Sequence, residues 1–409
     1  MREMKDSGHE TIGLVPSDWT EKRLKYLCKI QTGNEDTQNA NPEGKYPFYV
    51  RSPIVEHCDR YTFDGEGILV AGDGAGAGRI FHHVYGKYAV HQRVYRLSHF
   101  AGNADFIYYY LSNLFPHEMD KGSAQSTVPS MRLPMLLNFP LFLPSKKEQD
   151  KIVTFLDSKC SEIDAISADI QKEIEILEQY KRSVITEAVT KGLNPEAEMK
   201  DSGIGYIGII PNHWVVEKIK YHLKYRGNRN PGGVQVLSVY REYGVIPKDS
   251  RDDNHNVTSE DTSNYRYVRV GDFVINKMKA WQGSMAISDY EGIVSPAYYV
   301  YEFSDEHFDR KYFHYLLRNK MYATEFLRVS GGIRVGQWDL SAYDFENTMV
   351  PMPPIKEQKK IAAFLDTKST EIDSLIGEKK RQLEVLDSYK KSLIYEYVTG
   401  KKEVPTYES

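Results

Sequence analysis

The 409-residue sequence has only three cysteines, Cys28, Cys58 and Cys160, far apart along the chain. That excludes a disulfide framework and fits a reducing compartment, so a cytoplasmic location is expected. No run approaches the ~20 consecutive apolar residues needed to cross a bilayer, so no membrane contact is expected. The opening MREMKDSGHE lacks the apolar stretch of a secretory leader. An excess of one charge is also missing: 53 Lys and Arg oppose 57 Asp and Glu. This argues against coating nucleic acid by bulk charge, although a local basic cleft would be hidden in the total. Familiar catalytic signatures are absent too. There is no G-x-x-x-x-G-K-[ST] loop, no H-E-x-x-H and no paired C-x-x-C. Met352-Pro353-Pro354-Ile355 lacks the polar and aromatic members of an amino-methyltransferase motif and reads as the turn before a helix. His82, His83 and His91, with Cys58, show no metal-ligand spacing, so no metal is expected.

What the sequence does contain is a repeat. Glu3-Met4-Lys5-Asp6-Ser7-Gly8 returns unchanged as Glu198-Met199-Lys200-Asp201-Ser202-Gly203, and the same offset carries Ile12-Gly13, Pro16 and Trp19 onto Ile207-Gly208, Pro211 and Trp214. A second block, Lys147-Glu148-Gln149 with Phe155-Leu156-Asp157 and Glu162-Ile163-Asp164, returns as Lys356-Glu357-Gln358, Phe364-Leu365-Asp366 and Glu371-Ile372-Asp373. The stretches between match only faintly, as in Phe106-x-x-Tyr109 with Tyr312-x-x-Tyr315. The chain therefore divides into a constant segment 1–19, a variable region 20–142, a constant region 143–195, a repeated lead-in 196–214, a second variable region 215–351 and a constant region 352–409.

Each constant block after a variable region has the signals of one long helix. Ser145 is a candidate N-cap with Glu148 completing a capping box, and Gly192 followed by Pro195 ends the run, which predicts a helix near 146–190. Its apolar stripe takes in Ile163, Ile166, Ile170 and Leu177, and the second copy, near 357–398, offers Ile372, Leu375, Leu383 and Leu386. The spacing departs from a strict heptad, so a locally relaxed supercoil is expected. At 1.5 Å per residue such a helix is about 60 Å long, and its stripe needs a partner of equal length. The other copy is the natural candidate.

The variable regions carry short β-branched or aromatic runs, Gly67–Ala71, Tyr88–Val90, Phe273–Ile275 and Ala297–Tyr301, with helical pieces near 104–114 and 308–328. Each is predicted to be a small α+β domain. Gly72-Asp73-Gly74-Ala75-Gly76-Ala77-Gly78-Arg79 admits three readings: a phosphate cradle, a flexible hairpin, or backbone lying close to a DNA groove. In the third, Gly74 and Gly76 permit the approach and Arg79 reaches guanine or phosphate. The strand predicted after the loop, where a nucleotide fold needs a helix, disfavours the first. Gln92 and Arg93 join the candidates, as do Ser123, Gln125, Ser126 and Thr127 late in the same region. The second region offers Asn276, Lys277, Lys279, Trp281 and Gln282, then Arg334, Gln337 and Trp338, an inventory suited to base edges, phosphates and stacking. Solvated loops with a packed Trp are the plain alternative. The two variable regions are almost neutral, so partners are expected to supply part of any phosphate contact.

With its twice-repeated Asp-Ser-Gly…Ile-Gly…Pro…Trp lead-in and Glu-Gln…Phe-Leu-Asp block enclosing divergent regions, the whole chain resembles the specificity (S) subunits of type I restriction-modification systems. The resemblance implies an α+β protein: two target recognition domains separated by two long antiparallel helices in a coiled coil, related by a pseudo-twofold repeat. Each domain would read one half of a bipartite target in double-stranded DNA. It also implies no catalytic residues and no cofactor on this chain. S-adenosylmethionine and ATP would sit on partners: two adenine methyltransferase (modification) subunits and, in some assemblies, restriction motor-nuclease subunits. The rival readings are an autonomous DNA methyltransferase or nuclease, and a coiled-coil scaffold without DNA readout.

Overall fold

The computed structural model describes residues 2–122, 129–241, 243–250, 258–304, 308–332 and 338–405. Its α-helices are α1 (Ala104–Gly122), α2 (Leu133–Leu137), α3 (Lys146–Lys191), α4 (Arg310–Leu317), α5 (Lys320–Val329), α6 (Ala342–Asn347) and α7 (Ile355–Val398), with short strands before α1, between α2 and α3, between α3 and α4, and between α6 and α7. Two compact units form, Met1–Gln171 with Lys380–Ser409, and Lys172–Lys379. Each therefore contains the first part of one long helix and the last part of the other.

In the first unit, Lys29–Thr32, Val94–Ser98, Gly67–Ala71 and Phe81–Val84 form a four-stranded antiparallel sheet in that order. The Gly67–Ala71 run is continuously apolar because both its faces are buried. Ile68 and Val70 join the core that contains Phe106, Tyr110 and Leu114 of α1, while Leu69 meets Tyr88 and Val90 of a second small sheet. As expected, a strand and not a helix follows the glycine loop. The second unit repeats the order with Leu223–Tyr225, Tyr298–Phe303, Phe273–Asn276 and Met285–Ile287, its core filled by Phe273, Tyr301, Phe313, Phe326 and Phe345.

The constant residues tie each unit to its helices in matching ways. Gln149 and Gln358 are buried; the side-chain amide of each donates to Pro144 O (3.0 Å) or Pro353 O (2.8 Å), and its oxygen accepts from Asn103 N or Asp309 N at the start of α1 or α4. Tyr109 and Tyr315 donate to Asp157 (2.7 Å) and Asp366 (2.9 Å), so the faint Tyr match marks a shared anchor. Trp19 is buried beside Gly400 and Trp214 beside Gly192, the glycines that end α7 and α3 with φ of +69° and +75°. Ser145 does cap α3, accepting from Glu148 N at 3.3 Å, but the Glu148 carboxylate is paired with Arg2 at 2.5 Å. That ion pair takes the group expected to complete the capping box.

Within each unit α3 and α7 pack antiparallel. In the first, the tilted rings of Phe155 and Tyr397 lie 4.5 Å apart and Asp164 pairs with Lys390 (2.6 Å); in the second, Glu173 pairs with Lys379 (2.5 Å) and Lys181 with Asp373 (2.6 Å). The buried and half-buried positions step by four and three as Leu156, Cys160, Ile163, Ser167, Ile170, Ile174, Leu177 and Lys181, and as Leu365, Ser369, Ile372, Ile376, Lys379, Leu383, Leu386 and Lys390. This corrects two expectations. The pattern is a regular heptad, and Ile166 and Leu375 are about half exposed, at 50% and 47%. Ser167 and Ile376 occupy the seam one residue later, because a heptad fixes position irrespective of polarity.

Candidate nucleic-acid interface

Strand direction decides which loops meet. In the first unit, hydrogen bonds Gly33 N to Val94 O, Gly72 N to Arg93 O, His91 N to Tyr49 O and Gln92 N to Glu35 O gather four loops at one end of the paired sheets. There Asp73, largely covered, accepts from Arg51 (2.8 Å) and Arg93 (2.6 Å), whose side chains are 41% and 62% exposed. Burial would raise the Asp73 carboxyl, but the hydrogen bonds from the two guanidiniums outweigh it and hold it below the usual carboxylate range. The result is a pair of pre-aimed cations, the geometry that suits phosphate or guanine. Gln92 is nearby, donating to Asp36 at 2.9 Å.

The glycines of the loop have different duties. Gly74 has φ +76° with open space where a Cβ would point, whereas a Cβ on Gly76 would lie 2.2 Å from Ile80 Cδ1 and one on Gly78 2.5 Å from Met119 Cγ. Gly76 and Gly78 thus serve internal packing, and Gly74 remains the open approach. Arg79 pairs with Asp120 near the end of α1 and is half exposed. Arg51 escaped the sequence reading because only the fold brings it to Asp73; the lone carboxylate among glycines was the available signal.

The second unit builds the same end from different side chains. Asn276 is buried and its Oδ1 accepts from Met278 N at 3.1 Å, which makes it a turn-former. Lys277 donates to Asp339 at 3.0 Å, Lys279 is exposed, Trp281 Nε1 donates to Met278 O at 3.2 Å, and Gln282 and Trp338 are half-buried. A return segment is bonded onto each loop at equivalent atoms: Met131 N to Gly72 O (2.8 Å) in one unit and Leu340 N to Lys277 O (3.0 Å) in the other. Ser123, Gln125, Ser126, Thr127, Arg334 and Gln337 lie outside the described residues.

The histidines raised as metal candidates have other partners: His82 contacts Ser52 O, and His83 lies between Glu66 and Asp105. Among the described residues no group of three His, Cys, Asp or Glu side chains is set to hold a metal, and no helix is long and apolar enough to cross a membrane.

Two similarly built α+β units sharing two long helices, each with a polar loop end of its own composition, define a protein with two recognition heads. The chain belongs to the type I restriction-modification DNA specificity family, whose domain model matches residues 16–176 and 224–385. It is similar to the specificity subunit of type I restriction enzyme EcoDI of Escherichia coli, with 23% identity covering 90% of this chain and 86% of that one. It is also 24% identical to the MjaVIII specificity subunit of Methanocaldococcus jannaschii, over 95% and 94% of the two chains. A chain in a solved structure concerned with complex assembly and conformational transition of the type I R-M system shares the fold, with a TM-score of 0.65, 14% identity and coverage of 95% and 99%.

Proposed function

We propose that this chain is the non-catalytic, DNA-reading subunit of a cytoplasmic type I restriction-modification complex. Residues 20–142 and 215–351 each read one half of a bipartite duplex target, and the long helices set the spacer. The observation that carries this reading is the equivalent construction of the two loop ends from unlike side chains, Asp73 with Arg51 and Arg93 in one unit and Lys277 with Asp339 and Lys279 in the other. A shared frame with exchanged contacts is what two readers of different sequences require. The chain needs no S-adenosylmethionine of its own, since methyl transfer and ATP-driven steps belong to partner subunits. The methylated adenine must leave the base stack, at a cost of a few kcal/mol, and two bound readers help hold the opened duplex.

The helices support two modification subunits as partners. Immediately before the seam, Ile166, Ile176 and Tyr180 on α3 and Leu375, Val385 and Tyr389 on α7 are exposed, each at the matching place in the repeat. In an antiparallel pair such positions line one side, so each unit presents an apolar strip suited to a partner's helix. Selection of randomised duplex by the chain assembled with its modification subunits tests the proposal. Two separated half-sequences are expected; one contiguous site, or no preference, contradicts it.

A further inference from the structure

We infer that a turn repeated in both units, Lys25-Tyr26 with Lys29 and Lys220-Tyr221 with Lys224, grips the phosphate backbone and not the bases. The inference rests on the DNA reading proposed above. After the strands Thr20–Arg23 and Val215–Lys218, one turn of 3-10 helix covers Leu24–Tyr26 and Ile219–Tyr221. Leu24 and Ile219 are fully buried, and their N–H groups donate to Phe139 O (3.0 Å) and Thr348 O (3.1 Å). Burial explains why an aliphatic residue recurs there. It does not explain why Lys25 and Lys220, Tyr26 and Tyr221, and Lys29 and Lys224 also recur at the same offset, since all six are exposed, the tyrosines by 69% and 61%.

The arrangement is built, not incidental. The ammonium of Lys25 lies 5.1 Å from the Tyr26 ring centroid and donates to Asn138 Oδ1 at 3.3 Å; that of Lys220 lies 5.7 Å from the Tyr221 ring and donates to Asn347 Oδ1 at 3.1 Å. Arg23 and Lys218 add a further cation bonded to the same asparagine in each unit. Of the nearby carboxylates, Glu21 pairs with Arg23 of the same arrangement (3.3 Å), Glu217 with His222 (2.9 Å) and Glu302 with Arg226 (3.5 Å), so none is taken up by the four lysines. Among the described residues no carboxylate lies within ion-pair distance of Lys25, Lys29, Lys220 or Lys224.

A surface that two readers of different sequences hold in common contacts what both half-sites have in common. On DNA that is the polyanionic backbone, and lysine and tyrosine are among its usual donors. Such contacts position the protein without carrying sequence information, and they concentrate positive charge at one place in variable regions whose overall balance is almost neutral.

The test measures binding of the chain, assembled with its modification subunits, to target and unrelated duplexes across a salt series. The variant carries Lys25→Gln, Lys29→Gln, Lys220→Gln and Lys224→Gln; a control of equal charge change carries Gln at Lys172, Lys191, Lys380 and Lys391. Each lost phosphate contact lowers the log–log salt slope by about 0.9, so a fall of up to ~3.6 is expected in the variant and not in the control. At any one salt concentration affinity for both duplexes should drop by the same factor, up to about a thousandfold near 0.15 M if all four contacts are lost, leaving their ratio unchanged. A variant that behaves like the control overturns the inference. So does one that loses its modification subunits while the chain keeps its DNA affinity, an outcome that makes the turn a protein-docking site. If the unaltered complex binds no duplex, the DNA reading itself fails and the inference falls with it.

Discussion

At the residue scale, Asp73 matters through what it holds. With Arg51 and Arg93 both on one carboxylate, Arg93→Ala is expected to remove about 1 to 3 kcal/mol of discrimination at one half-site and none at the other, read from binding to duplexes scrambled in either half. Equal loss at both halves counts against independent readers. His314 offers a separate handle. Burial, reinforced by the Arg318 cation, pushes its pKa down to about 3. Below the ordinary value near 6.5 the unfolded chain therefore binds a proton that the folded chain refuses. The stability His314 contributes is complete above that value and is lost, by up to ~1.4 kcal/mol per pH unit, as pH falls towards 3. Urea midpoints at pH 7.5 and 5 should fall further for the natural protein than for His314→Gln; equal falls would contradict the assignment. The glycine loop and Arg93 were legible in the sequence as candidates. Their coupling was not, because Arg51 lies 22 residues before Asp73 and meets it only through strand order.

At the element scale, the helix ends carry the argument. A Cβ at Gly400 would stand 2.5 Å from Pro16 Cγ and 2.9 Å from Trp19 Cζ2 at φ +69°, whereas one at Gly8 would meet open space at φ +73°. Gly400→Ala is therefore expected to destabilise by about 2 to 4 kcal/mol, combining backbone strain with the clash, and Gly8→Ala by only about 1. Thermal unfolding of both variants distinguishes them, and similar losses would show that the packing against Trp19 is unimportant. Helix existence and extent could be read from caps and periodicity. Apolarity alone points to Ile166 and Leu375, which lie outside the seam because spacing governs it. Ser167 sits in the seam with no hydrophobic signal, and Lys181 and Lys390 enter it by pairing with Asp373 and Asp164. The buried glutamines of the repeated Glu-Gln pair were visible as a motif, but their role as links to the starts of α1 and α4 is a tertiary fact.

For the whole molecule, the repeat made the two-part organisation legible, since identical offsets can be counted without knowing any contact. That each unit takes parts of both long helices was not legible, because local sequence does not say where a helix changes neighbours. On the proposed reading, the paired helices set the distance between the two readers. Duplicating one heptad in each long helix, after Gln171 in α3 and after Lys379 in α7, keeps the seam in register and adds about 10 Å. At 3.4 Å per base pair this is about three base pairs. The most direct measurement is the methylation pattern laid down by the assembled variant, read genome-wide. The same two half-sequences are expected, separated by a spacer about three base pairs longer, and an active variant that methylates at the original spacing would contradict the ruler role of the helices.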